Sequence, residues 1–321
     1  MQIPSQPQPH RGLLPPGQLF ARTRAAFPST AASLPTAPTA AGPVQSPGPQ
    51  LTSIGQAASS LAFVTSPQLP LPPRPANAPT GSQFFADIAG LSPAQREQAI
   101  QQQILQGNIP DHLRQLTPLT LNTQGAHGEA LQAVAYVTSD YLAVGSNTDY
   151  VLVPMNPITA QAIADTTGTT LPTRKLVDTI YAQAQVKLRP SPQTPGPQMT
   201  SVAYFERHHR TVAQQQAQAG AHPGDLIAGH KKDVVITPRL DQKPQSVAIY
   251  GWHQPNGKAI QPLSTIHENT YADYSHGVRL VGPTLSINGM PYSTTEVLRH
   301  PQWSRLLSDE GIVQNPRAVR P

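Results

Sequence analysis

The stretch HENTYADYSHG, residues 267–277, places two histidines, two acids, two tyrosines and a serine within eleven positions of a chain that is only 12% charged. Imidazole can shuttle a proton near neutral pH, and a carboxylate can orient it through the other ring nitrogen. His276, Asp273, His267 and Tyr274 are therefore candidate acid–base groups, with Tyr271 as a binding group or proton donor. His230 and Asp233, three residues apart in AGHKKDVVIT, supply a second His/Asp pair, and Lys231 lies beside them as a substrate-binding candidate. Trp252 and His253 end the strand-like run VAIYGW, where an aromatic ring could stack a ligand or pack in the core. Seven of the eleven histidines fall between residues 208 and 276.

If a metal is bound, His230, His253, His267 and His276 are its candidate ligands, and a divalent ion is the cofactor such a set could hold. Their spacings of 23, 14 and 9 residues, obtained by subtracting the numbers, match no H-E-x-x-H pattern. There are no cysteines, which excludes disulfides, thiolate catalysis and cysteine-ligated zinc. Ser275 adjoins His276, but neighbours on an extended strand point to opposite faces. Ser264 and Ser146 are other serines available to a hydrolase, and no G-x-S-x-G elbow is present.

The elements that must position these groups are readable in part. Ser92, Pro93 and Gln95 open a helix with a capping box, Ile100, Ile104 and Leu105 share one face of it, and Gly107 stops it. Residues 129–155 read as short antiparallel strands broken at TSD and GSNTD. Asn156-Pro157 starts a second helix that closes on Gly168. A third follows LPT, with Leu176, Val177, Ile180 and Ala184 on its buried stripe. RPSPQTPGPQMT, residues 189–200, is an exposed connection that could join two lobes. A Gln/Ala-rich helix near 205–219 follows, then the strand-like runs DVVIT, SVAIYGW, VRLVG and TLSIN. A short helix capped by Ser293, with Glu296 completing its capping box, ends the pattern. The fold class expected is α+β, built from antiparallel strands and several short helices over residues 82–321.

In front of it, residues 1–80 hold 17 prolines and no acid, the first being Asp87. Such a segment cannot bury enough apolar area to offset the backbone entropy lost on ordering, so residues 1–81 are expected to form a disordered leader. No run approaches a membrane span, and the opening lacks the charged start and apolar core of a secretory signal. The formal charge of +5 owes much to scattered leader arginines, and no aromatic ladder accompanies Lys231-Lys232 or Arg174-Lys175, so a nucleic-acid partner is not indicated.

GNIPDHLRQLTPLTL, MNPITAQAIAD, LPTRKLVDTIY, GHKKDVVIT and YADYSHGVRLV resemble segments of a group of bacterial exported proteins of uncharacterised reaction, over roughly residues 104–281. That resemblance implies no catalytic residue. The Pro/Ser/Gln/Ala-rich, acid-free leader resembles those of type III secreted effectors, which implies export, injection into a host cell and a secretion chaperone bound to the leader. QLFARTRAAFPSTAAS also fits an organellar transit peptide. The expected function is a secreted hydrolase that uses the His/Asp/Tyr cluster on a glycan or peptide-like polymer. One alternative is a non-enzymatic module that recognises a host protein or carbohydrate. A second is a scaffold acting through the Pro-rich segment.

Overall fold

The computed structural model describes residues 66–125 and 128–320. In chain order the elements are α1 (Gly81–Ile88), α2 (Pro93–Leu105), β1 (Leu116–Gln124), β2 (Ala130–Thr138), β3 (Ala143–Gly145), β4 (Tyr150–Leu152), α3 (Pro157–Thr167) and α4 (Arg174–Gln183). They continue with β5 (Val186–Lys187), α5 (Val202–Gln218), β6 (Ile227–Ala228), β7 (Lys232–Val234), β8 (Ile249–His253) and β9 (Ala259–Ser264). The chain ends with β10 (His276–Gly277), β11 (Thr284–Ile287), β12 (Met290–Ser293), α6 (Thr294–Arg299) and α7 (Ser304–Leu307). The protein is α+β, with mainly antiparallel pairing. One four-stranded sheet runs β1-β2-β11-β12 and a second runs β10-β7-β8-β9. The pairs β10·β7 and β5·β6 are parallel.

The helices start where local chemistry dictates. Ser92 and Gln95 cap α2 reciprocally, Asn156 accepts from the Ile158 and Thr159 amides at 3.0 Å, and Gly168 closes α3 in the left-handed region at φ 66°. On α2 the buried residues are Arg96, Glu97, Ile100 and Ile104, so two charged side chains share the stripe that the isoleucines bury.

β1 is an edge strand that a helix shields. The Gln183 side chain, at the end of α4, accepts from the Thr120 amide at 3.0 Å and donates to the Thr120 carbonyl at 2.6 Å. Because the backbone of Thr120 faces outward, so does that of Pro118 two residues earlier, and the amide proton that Pro118 lacks is missing on the free edge and not from the ladder. Along β2, Leu131, Ala133, Ala135 and Val137 alternate into the main core.

Three expectations need correction. The leader was expected to run to residue 81; residues 1–65 lie outside the described residues, but residues 66–80 are ordered on the domain. Leu69 is buried, its amide donates to the Arg114 carbonyl, and Arg74 donates to Asn108 at 2.8 Å. Gly107 at φ 82° brings its Cα against Pro72, and this close approach fixes the strap in place. Next, the described residues belong to one compact unit, so 189–200 is a surface connection and not a hinge between lobes. Finally, VRLVG forms no regular strand: Val281 bridges both Val137 and Thr170, while pairing with β7 is made by His276 and Gly277.

Candidate functional site

A cleft of about 910 Å³ lies between the start of α2, the start of α3 and the loop at residues 266–272. It takes in the first half of the HENTYADYSHG stretch: His267, Glu268, Thr270, Tyr271 and Ala272 line it, together with Arg96 and Glu97 from α2. The His267 ring stacks on Tyr271, with centroids 4.3 Å apart. The Tyr271 hydroxyl donates to Asp273 at 3.0 Å. Burial and then the Asp273 charge push that phenol well above its ordinary range, so it stays protonated.

Asp273 and His276 stand behind this wall. Asp273 is 2% exposed, and its other oxygen accepts from the Ser275 amide at 2.7 Å and hydroxyl at 2.5 Å. Burial raises the carboxyl's proton affinity, but His276 and the Ser275 bonds outweigh this and leave it below the usual range. The carboxylate thus fastens the turn that leads into β10. His276 is fully buried, edge-on to Tyr271 with centroids 5.6 Å apart, and neither ring nitrogen has a hydrogen-bond partner. Burial, partly offset by Asp273, holds it neutral down to about pH 4. Neither group lines a described cleft, so direct attack on a substrate by the His276/Asp273 pair, expected from the sequence, does not fit this geometry.

The remaining candidates separate into three places. His230 is enclosed and lies 3.1 Å from Asp140. The contact has ion-pair distance but not hydrogen-bond alignment, since both His230 nitrogens are without a well-directed partner. Asp140 also accepts from the Tyr141 amide at 2.7 Å and from Gln216 at 2.8 Å. The Tyr141 hydroxyl donates to Asp233 at 2.7 Å, and the Arg279 guanidinium lies 4.6 Å above the Tyr141 ring. Burial pushes Asp233 up to about 6 despite Arg279. This network joins the end of β2 to β7 and α5, and its enclosure makes it a structural core.

Lys231, proposed for substrate binding, is 2% exposed and donates to the Tyr274 carbonyl at 2.8 Å. Burial lowers its ammonium to about 7. Around it pack Tyr274, which accepts from the Gln193 amide at 2.7 Å, and Trp252 and His208, with His208 5.1 Å from Tyr274 and 6.4 Å from Trp252 between centroids. Trp252 is 5% exposed at φ 57°, a left-handed conformation costly for a bulky residue; it is a core residue and not a stacking platform. His253 stacks on Tyr181 at 4.5 Å, and its Nε2 lies 2.8 Å from Asp178.

His230, His253, His267 and His276 therefore do not form one ligand set. Among the described residues no three His, Asp or Glu side chains are grouped to hold a metal ion.

The cleft residues that sequence reasoning missed are Arg96 and Glu97. Glu97 is 8% exposed, and both its oxygens meet the Asn156 amide, at 3.1 and 3.2 Å. Burial raises its proton affinity above the usual carboxyl range, in spite of Thr159, Asn156 and Arg96. Their positions four and three residues before Ile100 were the available signal.

No protein-family profile, curated protein or solved structure matches this chain. Among the described residues no helix is long and apolar enough to cross a membrane.

Proposed function

We propose that the chain is a binding module that takes a ligand with an apolar surface into the cleft between α2, α3 and the 266–272 loop. One observation carries this reading: the cleft of about 910 Å³ has polar groups at Arg96, Glu97 and Tyr271 beside exposed Ile158 and Ile266. A few placed polar groups in an apolar concavity are what ligand sites usually present. The acid–base pairs expected for hydrolysis are, by contrast, enclosed. The export or targeting role read from the leader's composition belongs to residues outside the described ones, and a reporter fused to residues 1–65 tests it separately.

Titration of the full chain with Nile red, an uncharged apolar fluorophore, tests the reading. One probe should bind per chain. Binding should fall in Ala94→Trp and Thr270→Trp, whose exposed positions at the cleft allow a bulky ring to fill it without disturbing the core. Failure to bind, or equal binding in both variants, removes the proposal.

A hydrolytic reading of the same cleft draws on Glu97, since a carboxyl with raised proton affinity suits a general acid. It requires turnover of a glycan or peptide polymer that Glu97→Gln abolishes while Nile red binding persists.

A further inference from the structure

We propose that the cleft selects a carboxylate carrying an apolar tail, with Arg96 holding the anionic group; this rests on the ligand-binding reading above. Arg96 is 5% exposed and lines the cleft. Its Nη1 donates to the Thr200 carbonyl at 2.9 Å, the guanidinium lies 4.8 Å above the Phe205 ring, and Nε has no partner. Among the described residues no carboxylate stands at ion-pairing distance from it. Glu97, the adjacent acid, is tied to the Asn156 amide instead.

A guanidinium taken out of water without a counter-charge is strongly unfavourable, and such groups are found paired. Arg279 shows how this chain treats the same problem elsewhere. It is also buried with Nε unpartnered, but both its Nη atoms donate to carbonyls, those of Thr138 and Ile227, and the charges of two acids, Asp140 and Asp233, act on it. Arg96 has one carbonyl, an aromatic face and, beyond ion-pair distance, the charge of the single acid Glu97, so an anion from outside the chain would complete its pairing.

Two further features agree. Pro93 and Ala94, in the first turn of the 13-residue helix α2, line the cleft beside Arg96, where the partial positive charge of a helix start favours an anion. Ile158 and Ile266, 43% and 82% exposed, offer apolar walls from α3 and from the loop. The space exceeds what a carboxylate alone would occupy. Glu97 and Glu268 also line the cleft and would repel a phosphate dianion more than a monoanion. The planar guanidinium fork matches a carboxylate. The ligand chemistry is shared by two sources, a free aliphatic acid and the C-terminus of a peptide ending in apolar residues.

The test displaces Nile red from the full chain with matched pairs: decanoate against decanamide, and a leucine-ended pentapeptide with a free against an amidated C-terminus. The carboxylate member should bind at least about tenfold tighter, as expected for a charge-assisted contact, and Arg96→Gln should erase the difference. A preference shown by decanoate alone identifies an aliphatic acid, and one shown by the peptide pair identifies a peptide terminus. Equal affinity within both pairs, or an undiminished preference in Arg96→Gln, overturns the inference while Nile red binding leaves the binding reading intact. Should Arg96→Gln fail to fold, the matched pairs on the unaltered chain decide. Absence of binding by all five probes removes both proposals.

Discussion

Replacing His276 with phenylalanine should make the protein less sensitive to acid without unfolding it at neutral pH. The imidazole is fully buried, its nitrogens have no partner, and burial against the pull of Asp273 lowers its pKa to about 4. In an unfolded chain the same group titrates near about 6.5. Between these values the unfolded chain takes up a proton that the folded one refuses, so the stability is whole above about pH 6.5 and is lost as pH falls toward 4. The separation is worth about 3 kcal/mol in full, and about 2 kcal/mol of it is lost between pH 7 and pH 5. His209, also held at about 4 by burial, adds a loss of the same sign, and Asp233, raised to about 6 by burial, opposes it. Both remain in the variant, so the difference between the two proteins isolates His276. Urea unfolding at pH 7 and pH 5 measures it. The original chain should lose about 2 kcal/mol more than His276→Phe over this interval, and at pH 7 the variant should stay within about 1 kcal/mol, because no hydrogen bond is given up. Parallel losses would refute the enclosure of His276, and so would collapse of the variant at pH 7.

Other perturbations probe the framework. Lys231→Met should remove a rise in stability between pH 7 and about 10.5. Burial lowers the folded ammonium to about 7, so the unfolded chain holds the extra proton across that window; urea unfolding at pH 7 and pH 9 reads the change in slope. Gln183→Ala should cost about 1 kcal/mol and expose the backbone of Thr120 on β1, and sedimentation should then show concentration-dependent self-association. Gly107→Ala should destabilise by about 2 kcal/mol or more, since the residue needs a positive φ. Its added Cβ would run into the Pro72 carbonyl, so limited proteolysis should cut first within residues 66–80.

The parts of the fold legible in the sequence are those decided within a few residues. Ser92-Pro93 and Asn156-Pro157…Gly168 mark helix ends through caps and backbone preference, and the structure has helices there. β1 escaped notice because Pro118 argues against a strand, and only its place on an edge beside Gln183 removes the objection. The strap at 66–80 escaped for a similar reason: composition speaks of average burial, whereas Leu69 and Arg74 are held by Arg114 and Asn108, far along the chain. In the site, HENTYADYSHG does divide between a cleft wall at His267 and Tyr271 and a buried turn at Asp273 and His276. Which half faces solvent depends on the parallel pairing of His276 with Lys232, a long-range contact that local spacing does not encode. Arg96 and Glu97 were legible as charged residues in line with Ile100 and Ile104, a pattern readily taken for a solvated helix face.

The cleft as the ligand site is tested most directly by light-driven cross-linking of the full chain to a decanoate bearing a diazirine near its tail end, followed by peptide mapping. The label should fall within residues 93–101, 156–159 and 266–272, and unlabelled decanoate should suppress it. Label concentrated instead at Arg189, Gln254, Pro255, Asn256 and Ile260, which line a separate surface hollow, or spread over the surface without competition, would contradict the account.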